Sequence, residues 1–126
     1  MPDNGLTIRK GWEFDFIFRT GFRVQGELVR LLFLRETGMK SPPREVRVGY
    51  VVGKRQGKSH VRNRGKRILR EAFRRLCPWM FPSVTVVVSL KDKALCAKAN
   101  EIYYDMARVL RKNGLLKPDW PGAAWR

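Results

Sequence analysis

Five consecutive residues, Val84-Thr85-Val86-Val87-Val88, narrow the folds open to this chain more than any other feature. All five are β-branched and four are apolar, a run that belongs in a buried strand. Such a strand needs neighbours, and the sequence supplies them. Val46, Val48, Tyr50 and Val52 alternate with Arg47, Gly49 and Val51, the period of a strand with one buried face. Residues 28–34 form a short apolar run between glycines, a well-covered strand, with a smaller strand expected at 22–24.

Helical signals fall between these strands. Phe14, Ile17 and Phe18 recur at helical spacing within residues 8–20, and Gly21 is placed to terminate that helix. A second helix spans 61–76 and ends at Cys77-Pro78, because proline disfavours helix in the residue before it. Leu95, Ala99, Ile102, Met106, Val109 and Leu110 mark a third helix closed by Asn113-Gly114. Residues 37–44 and 53–59 read as loops. The order αβββαβα predicts a single-domain α+β fold, a two-layer α-β sandwich over residues 1–114. Residues 115–126, with two prolines and two tryptophans, are expected to form a poorly ordered tail.

Charge decides what the chain can partner. Lys and Arg number 27 against 11 acids, a formal charge of +16, which calls for a polyanion. Residues 44–75 hold 12 of those 27 cations and only two acids, Glu45 and Glu71. On a helical wheel, Gly65, Ile68, Leu69, Ala72, Phe73 and Leu76 share one side of the second helix, and Asn63, Lys66, Arg67, Arg70 and Arg74 the other. Cations on successive turns repel one another, so the stripe costs helix stability unless phosphates lie beside it. A merely solvated face would mix Glu with Lys. The preceding loop, Gly53 to Ser59, is cationic through Lys54, Arg55 and Lys58, and its glycines let backbone N–H groups approach phosphate oxygens. It lacks the spacing of a nucleotide-binding P-loop.

On the first helix, Phe14 and Phe18 lie beside Arg19 and Arg23. Rings interleaved with cations suit unpaired bases, although a Phe stripe at this spacing is more often core. Protein-based catalysis has little to work with. His60 is the only histidine, no Cys-x-x-Cys pair accompanies it, and the carboxylates are scattered, so neither a metal site nor an acid–base pair is expected. Cys77 and Cys96 are expected as free thiols. No apolar run approaches the ~18 residues of a membrane span and no export signal is visible, so a cytoplasmic protein is expected.

The segment from Arg47 to Arg74 resembles the signature of the bacterial ribonuclease P protein component: a strand reading R-x-G-x-x-V, a Lys-rich loop, then Arg62-Asn63-Arg64 and Lys66-Arg67 opening a basic helix that continues to Arg70-Glu71. Upstream, Phe14-x-x-x-Phe18-x-x-Gly21 is similar to the family's first helix, and the likeness runs over residues 8–113. It implies a four-stranded sheet with a left-handed βαβ crossover, against the general right-handed rule. It implies a subunit that binds a catalytic RNA and the 5′ leader of precursor tRNA, with Mg2+ held mainly by the RNA and no organic cofactor. It implies RNA-binding roles for Lys54, Arg55, Lys58, Arg62, Asn63, Arg64, Lys66, Arg67, Arg70 and Arg74, and a leader cleft with Phe14, Phe18 and Arg19. The protein is expected to be monomeric in a 1:1 complex with the RNA. Departures from the pattern are Gly53 for Ser, Gly65 for an aliphatic residue and Leu32 where relatives can carry an aromatic. A ribosomal-type structural RNA-binding protein is the competing reading, since charge alone fits it equally well.

Overall fold

The computed structural model describes residues 6–8, 10–36, 45–53 and 56–125. The expected loop at 37–44 lies outside the described residues. The chain runs β1 (Leu6–Thr7), α1 (Gly11–Thr20), β2 (Phe22–Gln25), β3 (Val29–Arg35), β4 (Val46–Val51), α2 (Ser59–Leu76), β5 (Val84–Leu90) and α3 (Ala99–Lys112). The expected order αβββαβα is present, preceded by the two-residue β1. Ile8 and Lys10, expected at the head of the first helix, are not helical, and the Ile8 N–H instead donates to the Val48 carbonyl at 2.6 Å and continues the β1 pairing. The third helix starts only at Ala99, where the Glu101 carboxylate accepts the Lys98 N–H at 2.9 Å. That bond satisfies a backbone donor at the helix start and fixes the first turn.

The strand order is β1-β4-β5-β3-β2. The valine-rich β5 lies at the centre, antiparallel to β3 and parallel to β4. Alternate residues of each strand feed two clusters. Val29, Leu31, Phe33, Val48, Tyr50, Val86, Val88 and Leu90 face α2 and α3, which bring Leu69, Phe73, Leu76, Ile102, Met106 and Leu110. On the other face Leu32 and Val87 meet Ile17 of α1, with Phe14, Leu34 and Val51 around them.

The hand of the crossover follows from one bond. Val48 turns its side chain toward the helices and its carbonyl toward Ile8. Viewed from the helices with β4 running upward, the chirality of an L-residue puts that carbonyl on the right. The β1 segment therefore lies right of β4 and β5 lies left, so the β4-α2-β5 connection is left-handed, the minority hand.

The chain after α3 departs from expectation. Residues 115–117 run back along 79–81: the Phe81 N–H donates to Leu115, the Lys117 N–H to Trp79, and Met80 bridges Leu116. Leu115 is fully buried. Farther on, the Trp125 ring lies 3.8 Å from the Arg75 guanidinium carbon and 5.5 Å from Tyr103, and the Tyr103 hydroxyl accepts the Ala124 N–H. Two leucines and two aromatic anchors thus tie down a segment that composition alone describes as a loose tail.

A buried carboxylate holds the β2–β3 turn. Asp105 of α3, 2% exposed, accepts the backbone N–H groups of Glu27, Leu28 and Val29 at 3.0, 2.8 and 3.0 Å and pairs with Arg108. Gly26 is required there, since a Cβ would fall 2.5 Å from the carboxylate. Burial opposes ionisation of Asp105, but the bonds from Leu28, Arg108, Glu27 and Val29 outweigh it and hold the carboxyl below its ordinary value. Asp105→Ala is expected to cost about 3 kcal/mol by orphaning these donors, measured by urea unfolding at pH 7. Because the native pKa lies below the unfolded one, this contribution is complete above the ordinary Asp range of about 4 and disappears as pH falls through the depressed native value. The gap between wild type and variant should therefore narrow in acid.

Candidate nucleic-acid interface

The α2 helix packs through Gly65, Leu69, Ala72, Phe73 and Leu76, all buried, as the wheel indicates. At Gly65 an added Cβ would sit 3.1 Å from Val52 and 3.2 Å from Leu90, so the glycine brings the first half of α2 close against the end of the sheet. The outer face exposes Asn63, Arg64, Arg67, Arg70 and Arg74, while Arg62 and Lys66 are half-buried. The described acid on this helix is Glu71, which pairs with Arg74 at 3.0 Å and with Arg75 at 2.5 Å. Hydrogen bonds from Arg75 and Arg74 hold the Glu71 carboxyl below its usual value.

The remaining cations divide into two groups. Arg62 donates to the Gly57 carbonyl and the Ser59 hydroxyl, and Arg64 donates to the carbonyls of Leu95 and Ala97 at 3.0 and 3.3 Å. Both arginines thus brace the loops around the helix start. The Arg70 guanidinium lies 5.2 Å from the Tyr50 ring centroid, a cation–π contact beside the buried Tyr50 phenol, whose pKa burial pushes up. Arg67 has no hydrogen-bond or ionic partner among the described residues.

Lys54 and Arg55 lie outside the described residues. Lys58 is exposed at the α2 N-terminus, where its carbonyl accepts from Val61 and Arg62. Gln56 ties the loop to the sheet: its side-chain oxygen accepts the Gly53 N–H, and its amide donates to the Leu90 carbonyl and to Asp92. Gly57, at φ +129°, makes the turn into α2 in a conformation few other residues adopt.

On the opposite sheet face, a groove of about 400 Å³ is lined by Phe18, Arg23, Gln25, Arg30, Leu32 and Ser89. Phe18 is partly exposed at its rim, and Arg23 is fixed there by donating to the Phe18 carbonyl at 2.9 Å. Phe14 is placed differently from Phe18. It lies against the backbone of Gly49, where a Cβ would come within 2.5 Å of its ring. Arg19 lies along its own helix, donating to the Asp15 carbonyl, and does not line the groove. Glu13 pairs with Arg47 nearby.

Sequence reasoning missed Gln25, Arg30 and Ser89. Their alternation within β2, β3 and β5 is the only signal they carry, and it becomes informative once strand register sets Gln25 opposite Arg30 and Arg30 opposite Ser89. Groove and basic helix are separated by one strand: Ser89 of β5 lines the groove, and the next residue, Leu90, packs under Gly65 of α2.

A model of the family described as Ribonuclease P matches residues 3–114. The chain belongs to the ribonuclease P protein family. A ribonuclease P protein component of Thermus brockianus is 43% identical over 116 residues, which are 92% of this chain and 65% of the relative. One from Thermus scotoductus is 41% identical over 93 residues and 54% of its length, so the chain spans less than two thirds of these relatives. That from Oceanobacillus iheyensis is 31% identical, covering 87% of this chain and 88% of its own. Among solved structures, the RNase P protein from Thermotoga maritima superposes with a TM-score of 0.70 at 28% identity, covering 84% of this chain and 96% of that one. The RNase P protein of Staphylococcus aureus shares the fold, with a TM-score of 0.74 at 21% identity over 88% and 97% of the two chains.

The family's R-x-G strand motif has a local cause here, since Gly49 is where the Phe14 ring rests. Gly49→Ala is expected to displace that ring and lower stability by about 1–3 kcal/mol. In a double-mutant cycle with Phe14→Ala the two losses should be less than additive, as read from denaturant midpoints.

Proposed function

We propose that this chain is the protein subunit of a ribonuclease P ribonucleoprotein, gripping the catalytic RNA with the outer face of α2 and holding the single-stranded 5′ leader of precursor tRNA in the groove between α1 and the sheet. The observation that carries the reading is the stripe of Arg67, Arg70 and Arg74 beside Asn63, an exposed cationic surface whose acid, Glu71, offsets only its C-terminal end. Phosphates alongside it would relieve the repulsion built into the helix. The groove combines a ring, two arginines, an amide and a hydroxyl, which together suit stacking and hydrogen bonding to unpaired bases.

In this reading, bond scission and its Mg2+ belong to the RNA. The side chains described do not fit a protein-held metal: no three His, Cys, Asp or Glu among them are grouped to hold one. Glu13 is paired with Arg47, Glu71 with two arginines and Asp105 with three backbone donors. The contribution of the chain is charge neutralisation and placement of the leader. It acts as one protein bound to one RNA. No helix among the described residues is long and apolar enough to cross a membrane.

Reconstitution with a bacterial ribonuclease P RNA at low Mg2+ tests the proposal, with leader removal from precursor tRNA as the readout. Arg67→Ala is expected to lower cleavage several-fold and to flatten the salt dependence of RNA binding by about one phosphate contact, with the circular dichroism spectrum unchanged. Full activity of the variant at moderate salt would remove the central support.

A further inference from the structure

The α3 helix and the chain beyond it form a second surface of mixed rings and cations that the basic helix and the leader groove leave unused. Tyr104, 45% exposed, Arg108, Arg111 and Lys112 follow one another along the outer side of α3. The returning chain lays Trp120 beside them, with the Arg111 guanidinium 6.0 Å from its ring centroid. Together with Ala107 and Ala123 these residues line a groove of about 570 Å³ that contains no carboxylate. Asp105, the acid that pairs with its Arg108, is buried and committed to three backbone donors. Arg111 and Lys112 are exposed and have no ionic partner among the described residues.

Two features identify the occupant. Flat aromatic walls between unpaired cations complement a base and its flanking phosphates, the pairing of stacking and charge by which single-stranded RNA is held. The groove also lies on the helix side of the sheet, beyond α3, whereas the proposed leader groove lies on the opposite face. A strand leaving the leader groove would have to round the sheet edge to reach it, while an RNA already lying along α2 needs only to cross the neighbouring helix. We infer that Tyr104, Arg111, Lys112 and Trp120 form a second docking site for the RNA subunit, taking an unpaired nucleotide whose base stacks on the rings and whose phosphates meet the two cations. The inference rests on the RNA-binding reading above and extends it to a separate surface.

The test measures affinity of the full chain for the ribonuclease P RNA and, in a separate arm, affinity of the assembled holoenzyme for precursor tRNA with and without its leader. The variant carrying both Arg111→Gln and Lys112→Gln changes only exposed side chains. It is expected to bind the RNA subunit about tenfold more weakly at moderate salt, with the slope of log Kd against log salt reduced by about 1.5, the signature of two lost phosphate contacts. Trp120→Ala is expected to weaken binding by a similar factor while leaving the slope unchanged, because stacking releases no counterions. Unchanged affinity of the double variant for the RNA subunit overturns the proposal. So does a loss confined to the precursor arm, which would make the site a substrate contact. Arg67→Ala runs alongside: if it too leaves binding intact, the basic-helix reading fails, whereas a normal loss in that control confines the failure to the α3 surface.

Discussion

Burial of β5 on both faces is the constraint on which the other elements depend. Its valines alternate between the cluster under α2 and α3 and the smaller cluster under α1, so one strand supplies both layers with apolar surface. At roughly 25 cal/mol per Å² of buried apolar area, a four-valine strand of this kind is a large share of what a small domain can gain. Because β5 pairs with β3 on one side and β4 on the other, registers propagate outward from it. The positions of Ser89, Arg30 and Gln25 across one groove are a consequence of that propagation.

Electrostatics is arranged around this core with little compensation. Acids that could neutralise α2 are used elsewhere: Glu13 holds Arg47, Glu101 caps α3, Glu36 accepts from Thr85, and Asp105 secures the β2–β3 turn. The helix keeps its cations unmatched over its first three turns. Packing through Gly65 against Val52 and Leu90 secures those turns without help from side-chain ion pairs. A protein so constructed gives up helix stability in isolation and recovers it in a polyanionic complex.

Most of the architecture was legible because the periods were clear. The alternation at 46–52 and the 3.6-residue repeat in α2 each admit one reading, and the α2 wheel separates buried from exposed residues as the structure does. What escaped has particular causes. Asp105 carries no sequence signal, since a carboxylate on a helix is ordinarily solvated and its three partners lie 76 to 78 residues away. Residues 115–125 look like a tail because prolines and tryptophans have no period, yet the rings find Arg75, Arg111 and Tyr103 as partners. The family resemblance implies one cleft for Phe14, Phe18 and Arg19, whereas in this chain Arg19 lies along its own helix and Phe14 rests on Gly49. Arg62 and Arg64 spend donors on loop carbonyls, which no inspection of charge would reveal.

The adjacency of Ser89 and Leu90 has a mechanical consequence. Successive side chains of a strand point to opposite faces, so the floor of the groove and the seat of α2 are carried by neighbouring residues of one stiff ribbon. In the proposed function, the two RNA segments on either side of that ribbon would be kept at a constant spacing, as between the jaws of a caliper, without a hinge or loop that could let the gauge drift.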